Sequence, residues 1–353
     1  MKYAKKKNAR QNKCHLCKPI YRFAFLFFIG IFISAFCFVA CSSSPKKTMK
    51  ITETSQKASV LYQRANSELA SFSFQNSYNH LAQAYSLALS VDDEELLTKI
   101  CLSSIICKIF YEQNPKTKIE SALLKKNDEA KDELDFYFYS LSPTDFLQEA
   151  EQYSKNTKKK EFYEVVCKVY KTQLNLLLQG EKSNSDEKKS DENSKGQFSE
   201  LEQNQTSYSS ILKTEPYYLA YLKRTLADTY AYKKEFQKAK DSYLAAAEIH
   251  IKNRDLKEIG HDFYDAARMA SILKQKDEAL FLIDKALKYD KDAENSVAIA
   301  SDYFAFALIL IKNAPTEAEK ISAKNAALWA RKIYLSNHFF EEADFCLKTA
   351  QSI

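Results

Sequence analysis

Residues 220–253, AYLKRTLADTYAYKKEFQKAKDSYLAAAEIHIKN, decide the fold. Apolar side chains recur at three- and four-residue spacing on either side of Lys234, so the stretch reads as two amphipathic helices joined by a short polar turn. With Ala220 as position 1, Leu226 and Ala227 fall at positions 7 and 8, Tyr230 at 11, Ala239 at 20, Tyr243 at 24 and Ala246 at 27. Small residues at 8, 20 and 27 allow two helices, and the next pair, to approach closely, and the large residues fill the space beside them.

The pattern returns from residue 260, with Phe263 at position 4, Ala267 at 8, Ala279 at 20, Ile283 at 24 and Ala286 at 27. It departs at position 11, where Ala270 replaces an aromatic residue, and at 32, where Lys291 replaces Pro. A weaker match puts Ala343, Leu347 and Ala350 at 20, 24 and 27, and before residue 180 only Leu81, Tyr85 and Ala88 fit a second helix. These residues resemble a tetratricopeptide repeat, whose unit is about 34 residues. The offset here is 40, which places about six extra residues near His250 to Lys257. The resemblance implies an all-α, helical-hairpin repeat solenoid, a tetratricopeptide-like superhelix.

Helical periodicity extends almost everywhere after Ile51. Helices are expected near 51–71, 75–90, 93–113, 117–139, 144–155, 158–179, 209–233, 235–250, 254–274, 276–289, 294–312, 316–335 and 338–351. Asn114-Pro115, Ser142-Pro143 and Ala314-Pro315 mark three boundaries, because the residue before Pro is pushed out of the α region. Leu96–Tyr111 and Val297–Ile311 are apolar nearly all round but too short to span a bilayer, so both are read as helices covered on several sides. Residues 181–197, EKSNSDEKKSDENSKGQ, hold no aliphatic or aromatic side chain and are expected to be disordered, with a flank to about 208. They lie between a degenerate repeat region, 51–180, and the clearer repeats of 209–353, as a linker or as a long loop in one continuous array.

Composition narrows the function. The chain has four glycines in 353 residues, of which only Gly260 falls in a segment expected to be folded. Phosphate cradles and hairpin turns need backbone at positive φ, so a β-rich fold, a dinucleotide binder and a P-loop are all disfavoured. Residues 1–40 hold eight bases and no acid, leaving 44 bases against 46 acids in the remainder. The positive balance therefore belongs to one end and offers no nucleic-acid face.

That end reads as a targeting segment. A cationic stretch precedes 18 uncharged residues, Phe23 to Ala40, followed by Cys41 and Ser42-Ser43-Ser44-Pro45. Val39-Ala40-Cys41 resembles the lipobox of bacterial lipoproteins, with Phe38 where that motif usually has Leu. The resemblance implies a signal peptide over 1–40, a lipid on Cys41 and a polar tether to residue 50, with the body exported and held to a membrane, the outer membrane facing the periplasm being favoured. An uncleaved anchor is the alternative, since 18 residues at ~1.5 Å rise come close to the ~30 Å hydrocarbon core. Cys14-His15-Leu16-Cys17 has zinc half-site spacing but no second pair. Cys101 and Cys107 sit among Ile and Leu and are read as small core residues.

Helical repeats stack into a concave surface suited to protein or peptide partners. In the family, positions 2, 5, 9, 12 and 13 of the inner helix commonly face that groove. Here they are Tyr221, Arg224, Asp228, Ala231 and Tyr232, then His261, Tyr264, Arg268, Ser271 and Ile272. Arg224 and Asp228 are also an i, i+4 pair able to support their own helix. No catalytic motif, metal-ligand spacing or cofactor fingerprint emerges, so a non-enzymatic, cofactor-free adaptor is expected, with self-association into a homo-oligomer left open. The alternatives are a carrier of a hydrophobic ligand in a helical tunnel and a purely structural envelope component.

Overall fold

A computed structural model describes residues 52–113, 133–182, 192–312 and 315–353. Among these, fourteen α-helices follow one another without a strand: α1 Glu53–Leu69, α2 Phe74–Ser90, α3 Glu94–Gln113, α4 Glu133–Ser140, α5 Pro143–Ser154, α6 Lys160–Lys182, α7 Glu192–Leu212, α8 Pro216–Tyr232, α9 Phe236–Asn253, α10 Leu256–Ile272, α11 Lys276–Asp292, α12 Ser296–Ile311, α13 Glu317–Ser336 and α14 Phe340–Ser352. The targeting segment, Cys41 and the tether lie outside the described residues, as does the first part of the helix expected over 117–139.

Each helix packs chiefly on its sequence neighbours. The hairpins are α1/α2, α3/α5, α6/α7, α8/α9, α10/α11 and α12/α13, with α14 laid on the last of them and the short α4 set against α2. This is a tetratricopeptide-like helical-repeat solenoid. Alanines at positions 8, 20 and 27 of the two best units, Ala227, Ala239, Ala246, Ala267, Ala279 and Ala286, are all fully buried at helix contacts.

The turns explain the 40-residue period. Phe72, Asp92, Lys234, Arg254, Lys274, Glu294 and His338 hold the left-handed conformation at φ of 53–64°. In each, the N–H of the next residue donates back five residues, as Glu235 does to Tyr230 O at 2.8 Å and Asn295 to Asp290 O at 2.9 Å. That is the Schellman closure of a helix C-terminus, usually built on Gly and built here without one. From Lys234 to Glu294 the turns recur every 20 residues, so the hairpin is built from helices of 17 residues followed by joints of three, or of 18 followed by a joint of two. The extra residues expected near His250 to Lys257 are the last turn of α9 and the first of α10.

Three differences from the sequence reading have physical causes. Residues 192–208 continue α7, with Phe198 and Leu201 buried, rather than a disordered stretch; Phe198 packs edge-on against Tyr232 at 5.4 Å. Helices α6 and α7 are partners in one hairpin, so the array runs on through this region; residues 183–191 lie outside the described set. At the carboxyl end, four residues beyond the 40-residue period, shared between a longer joint around Pro315 and the 20-residue α13, hide a third unit, whose Ala307, Ala323, Ala327 and Ala330 are fully buried. Ala343, Leu347 and Ala350 consequently sit on a helix that opens a hairpin, α14, and not on a second helix.

The two apolar helices also part company. In α3 the side chains of Leu97, Ile100, Cys101, Leu102, Ile105 and Cys107 are fully covered, whereas on α12 only the small or distal residues are, and Leu308 is exposed. Cys101, Cys107, Cys167 and Cys346 are free and buried, and burial pushes the Cys107 and Cys167 thiols up to about 12.

Candidate functional site: a cavity between the amino-terminal hairpins and the repeats

The α1–α2 turn reaches across to the starts of α10 and α12. Lys257 Nζ donates to Ser67 O at 3.1 Å and to Ser71 Oγ, and Asn295 Nδ2 donates to Ala70 O at 3.3 Å. These bonds join residues about 190 and 225 apart in sequence. The first turn of α10, part of the lengthened joint, supplies the lysine. Between the two sides lies a cavity of about 370 Å³, within the size range of small-ligand sites. One wall is largely apolar and comes from Leu69, Phe72, Phe74, Ile106 and Phe110. The facing wall is polar and comes from α8, α10 and α12 with the ends of α9 and α11.

An ionic network braces the polar wall. Arg224 Nη1 meets Glu258 Oε2 at 2.6 Å, and its Nη2 and Nε donate to Asp262 Oδ1 at 2.6 and 2.9 Å. His250 Nδ1 lies 2.7 Å from Asp262 Oδ2, so both carboxylate oxygens are engaged. Burial would raise the Glu258 carboxyl, but the Arg224 guanidinium, with His261 and His250, outweighs it and holds it down at about 2. Breaking one partner of such a buried pair leaves the other uncompensated, which costs about 3–5 kcal/mol.

Beside this satisfied network is an unsatisfied one. Asp290 and Asp302 are each 1 % exposed; Asp290 Oδ1 and both Asp302 oxygens accept no hydrogen bond from an N–H or hydroxyl of the described residues, and the two carboxyl groups bond only each other, through a shared proton. Burial, and then repulsion from Asp290, raises Asp302 far above the ordinary carboxylate value; burial raises Asp290 as well. Gly260 makes room for them: a Cβ there would fall on the Asp290 carboxylate. The one glycine read as part of the folded body is thus needed for close approach at a helix crossing, not for a turn.

The sequence-derived groove residues divide. Tyr221, Arg224, His261 and Tyr264 line the cavity, with Tyr221 stacked on Tyr170 at 4.4 Å between centroids. Asp228 is not paired with Arg224: it accepts from Gln173 Nε2 at 2.9 Å and from the Tyr243 hydroxyl, because Arg224 is turned toward α10. Tyr232 and Arg268 lie outside the cavity; Tyr232 faces Phe198, and Arg268 Nη1 binds Asp265 Oδ1 at 2.9 Å, both largely exposed. Sequence reasoning missed Asp290, Asp302, His250, Glu258 and Asp262. A trace was present, since Asp302 is the one charge between Ser296 and Ile311.

Among the described residues no group of His, Cys, Asp and Glu could hold a metal ion, and no helix is long and apolar enough to cross a membrane. No family model matches the chain, and no curated protein matches it. Among solved structures, aspartyl phosphate phosphatase F from Bacillus subtilis is similar at 13 % identity and a TM-score of 0.42, over 84 % of this chain and 70 % of that one. A Rap protein complexed with competence and sporulation factor aligns at 12 % identity and 0.35, over 84 % and 97 %. A signal transduction ATPase with numerous domains and a tetratricopeptide repeat sensor, from Pyrococcus horikoshii, aligns at 13 % and 0.39, over 86 % of this chain and 53 % of that one, about half its length. The fold itself rests on the chain's own hairpins.

Proposed function

We propose that the protein is a lipid-anchored, non-enzymatic scaffold of a bacterial cell envelope that docks a protein partner through its repeat array. The observation that carries the docking role is at the carboxyl end. Phe281, Ile321, Phe340 and Phe345 are each about 60 % exposed, more than any other large apolar side chain among the described residues, and Trp329 is half exposed. These four residues, carried by α11, α13 and α14, concentrate exposed apolar side chains on the last helices of the array, and apolar, aromatic surface is what protein interfaces use. The anchor is supported by the sequence around Cys41, where two or more acyl chains would give stable attachment.

One experiment addresses both parts. Full-length protein and its Cys41→Ala and Phe340→Ser/Phe345→Ser variants are expressed with an exported reporter, fractionated and lightly crosslinked. Cys41→Ala is expected to accumulate as an unprocessed, unlipidated precursor, and the double Ser variant to stay membrane-bound but lose its crosslinked partner. Normal mature mass in the first variant rejects the anchor. Parent-like crosslinking in the second rejects the docking face.

A further inference from the structure

We propose that the cavity between the amino-terminal hairpins and the repeats binds a small organic ammonium ion with an apolar body, its charged head between Asp290 and Asp302. This is independent of the scaffold reading, since it concerns a different surface.

Four of the nine buried polar side-chain atoms left without a partner among the described residues belong to this one cavity: Asp290 Oδ1, both Asp302 oxygens and the Tyr221 hydroxyl. Buried polar atoms are nearly always satisfied, and a cluster of unsatisfied acceptors marks a place where a donor is meant to come from elsewhere. The Tyr221 hydroxyl can accept as well as donate, and the three carboxyl oxygens bond each other only by sharing a proton, so the group complementary to the pair is a cationic donor that takes that proton's place. Ammonium has three N–H donors and no acceptor.

No cation among the described residues is hydrogen-bonded to either carboxyl group. Arg224 is spent on Glu258 and Asp262. Lys257 is spent on Ser67 and Ser71. Lys291, the ammonium that acts on Asp302, has its Nζ 5.3 Å over the Tyr303 ring. His261 acts on Asp290 through space without a hydrogen bond to it, and the remaining charged or imidazole groups of that wall, Glu258 and His250, are bound to Arg224 and to Asp262. A metal ion is a poor alternative, because two carboxyl groups without a third ligand do not make a site.

The rest of the lining says what the cation carries. Leu69, Phe72, Phe74, Ile106 and Phe110 present hydrocarbon, while Tyr170, Tyr221 and Tyr264 add aromatic faces that favour cations. An amine with an aliphatic or aromatic body satisfies both walls; an inorganic cation satisfies one. The site is also prepared at some cost. Two carboxyl groups are buried against each other, and Gly260 is kept bare to admit one of them.

The test uses full-length protein in detergent near neutral pH, titrated with 2-phenylethylamine, hexylamine and, as uncharged isostere, 2-phenylethanol, by thermal unfolding and calorimetry. The amines are expected to raise the unfolding temperature at millimolar concentration and the alcohol to leave it unchanged. Asp302→Asn is expected to weaken amine binding by about tenfold or more, equivalent to roughly 1.4 kcal/mol, and the exposed Glu317→Gln to leave it as in the parent. Equal stabilisation by the alcohol, no response to either amine, or parent affinity in a folded Asp302→Asn protein would each overturn the proposal. Because the alcohol comparison is made on the parent protein, it decides the matter even where the variant does not fold.

Discussion

The hairpins before residue 200 and those after residue 216 share one architecture and fill their interiors differently. Among the described residues the seven fully buried aromatic side chains, Tyr78, Tyr85, Phe138, Phe146, Tyr163, Tyr170 and Phe198, all lie in the first set, whereas eighteen of the twenty-four buried alanines lie in the second. An alanine contact works only where two backbones come close, so it recurs at fixed positions in every unit. A core of Tyr, Phe and Leu can be filled by many combinations of the same total volume. The repeat is therefore written plainly in the second set and almost erased in the first, although the chain folds the same way in both.

The contrast can be broken by exchanging volume for space. Phe146 is fully buried with Phe138 at 5.0 Å, and Phe146→Ala is expected to cost about 3–5 kcal/mol in urea unfolding. Ala246→Leu, at a close contact between α9 and its neighbours, is expected to cost about 1–3 kcal/mol by overpacking. If the leucine were tolerated without loss, close backbone approach would not be what distinguishes the second set.

A smaller effect sharpens the same comparison from the side of charge. The folded-state pKa of Asp302 stands above its ordinary value of 3.8, through burial first and Asp290 second. A raised carboxyl contributes stability only below its unfolded pKa and loses it as pH rises. Asp302→Asn should accordingly stabilise the protein near neutral pH by at least about 1 kcal/mol, one pKa unit being about 1.4 kcal/mol. The gain should vanish as the pH is lowered past 3.8. A gain that persists in acid would mean that charge is not its source.

The smallest effect concerns the joints. Lys274 holds φ of 63° with a Cβ, and Lys274→Gly is expected to raise stability by up to about 1 kcal/mol, read as a small increase in unfolding temperature. Destabilisation would show that the Lys274 side chain contributes more than its backbone strain.

The helical class, the repeat and most boundaries were legible because periodicity and the alanines at 8, 20 and 27 are local signals. Glycine scarcity was legible too, but its meaning was not complete: it excluded phosphate loops, yet seven left-handed turns are present and made by Phe, Asp, Lys, Arg, Glu and His. The site was half legible. Tyr221, Arg224, His261 and Tyr264 followed from repeat position, whereas Asp290 and Asp302 meet only through the packing of α10, α11 and α12. Nothing in either local sequence says that the other lies opposite. The roof over the cavity was illegible for a stronger reason, since its two sides are about 190 residues apart.

That separation has a consequence in time. The hairpins form from near neighbours and can condense as soon as each is complete, but the bonds to Ser67 and Ala70 wait for Lys257 and Asn295 to exist. At a synthesis rate of about 5–20 residues per second the wait is on the order of 10–40 s. Throughout that interval Leu69, Phe72 and Phe74 face water on a nascent chain, as a recognition surface for chaperones that the finished protein half covers.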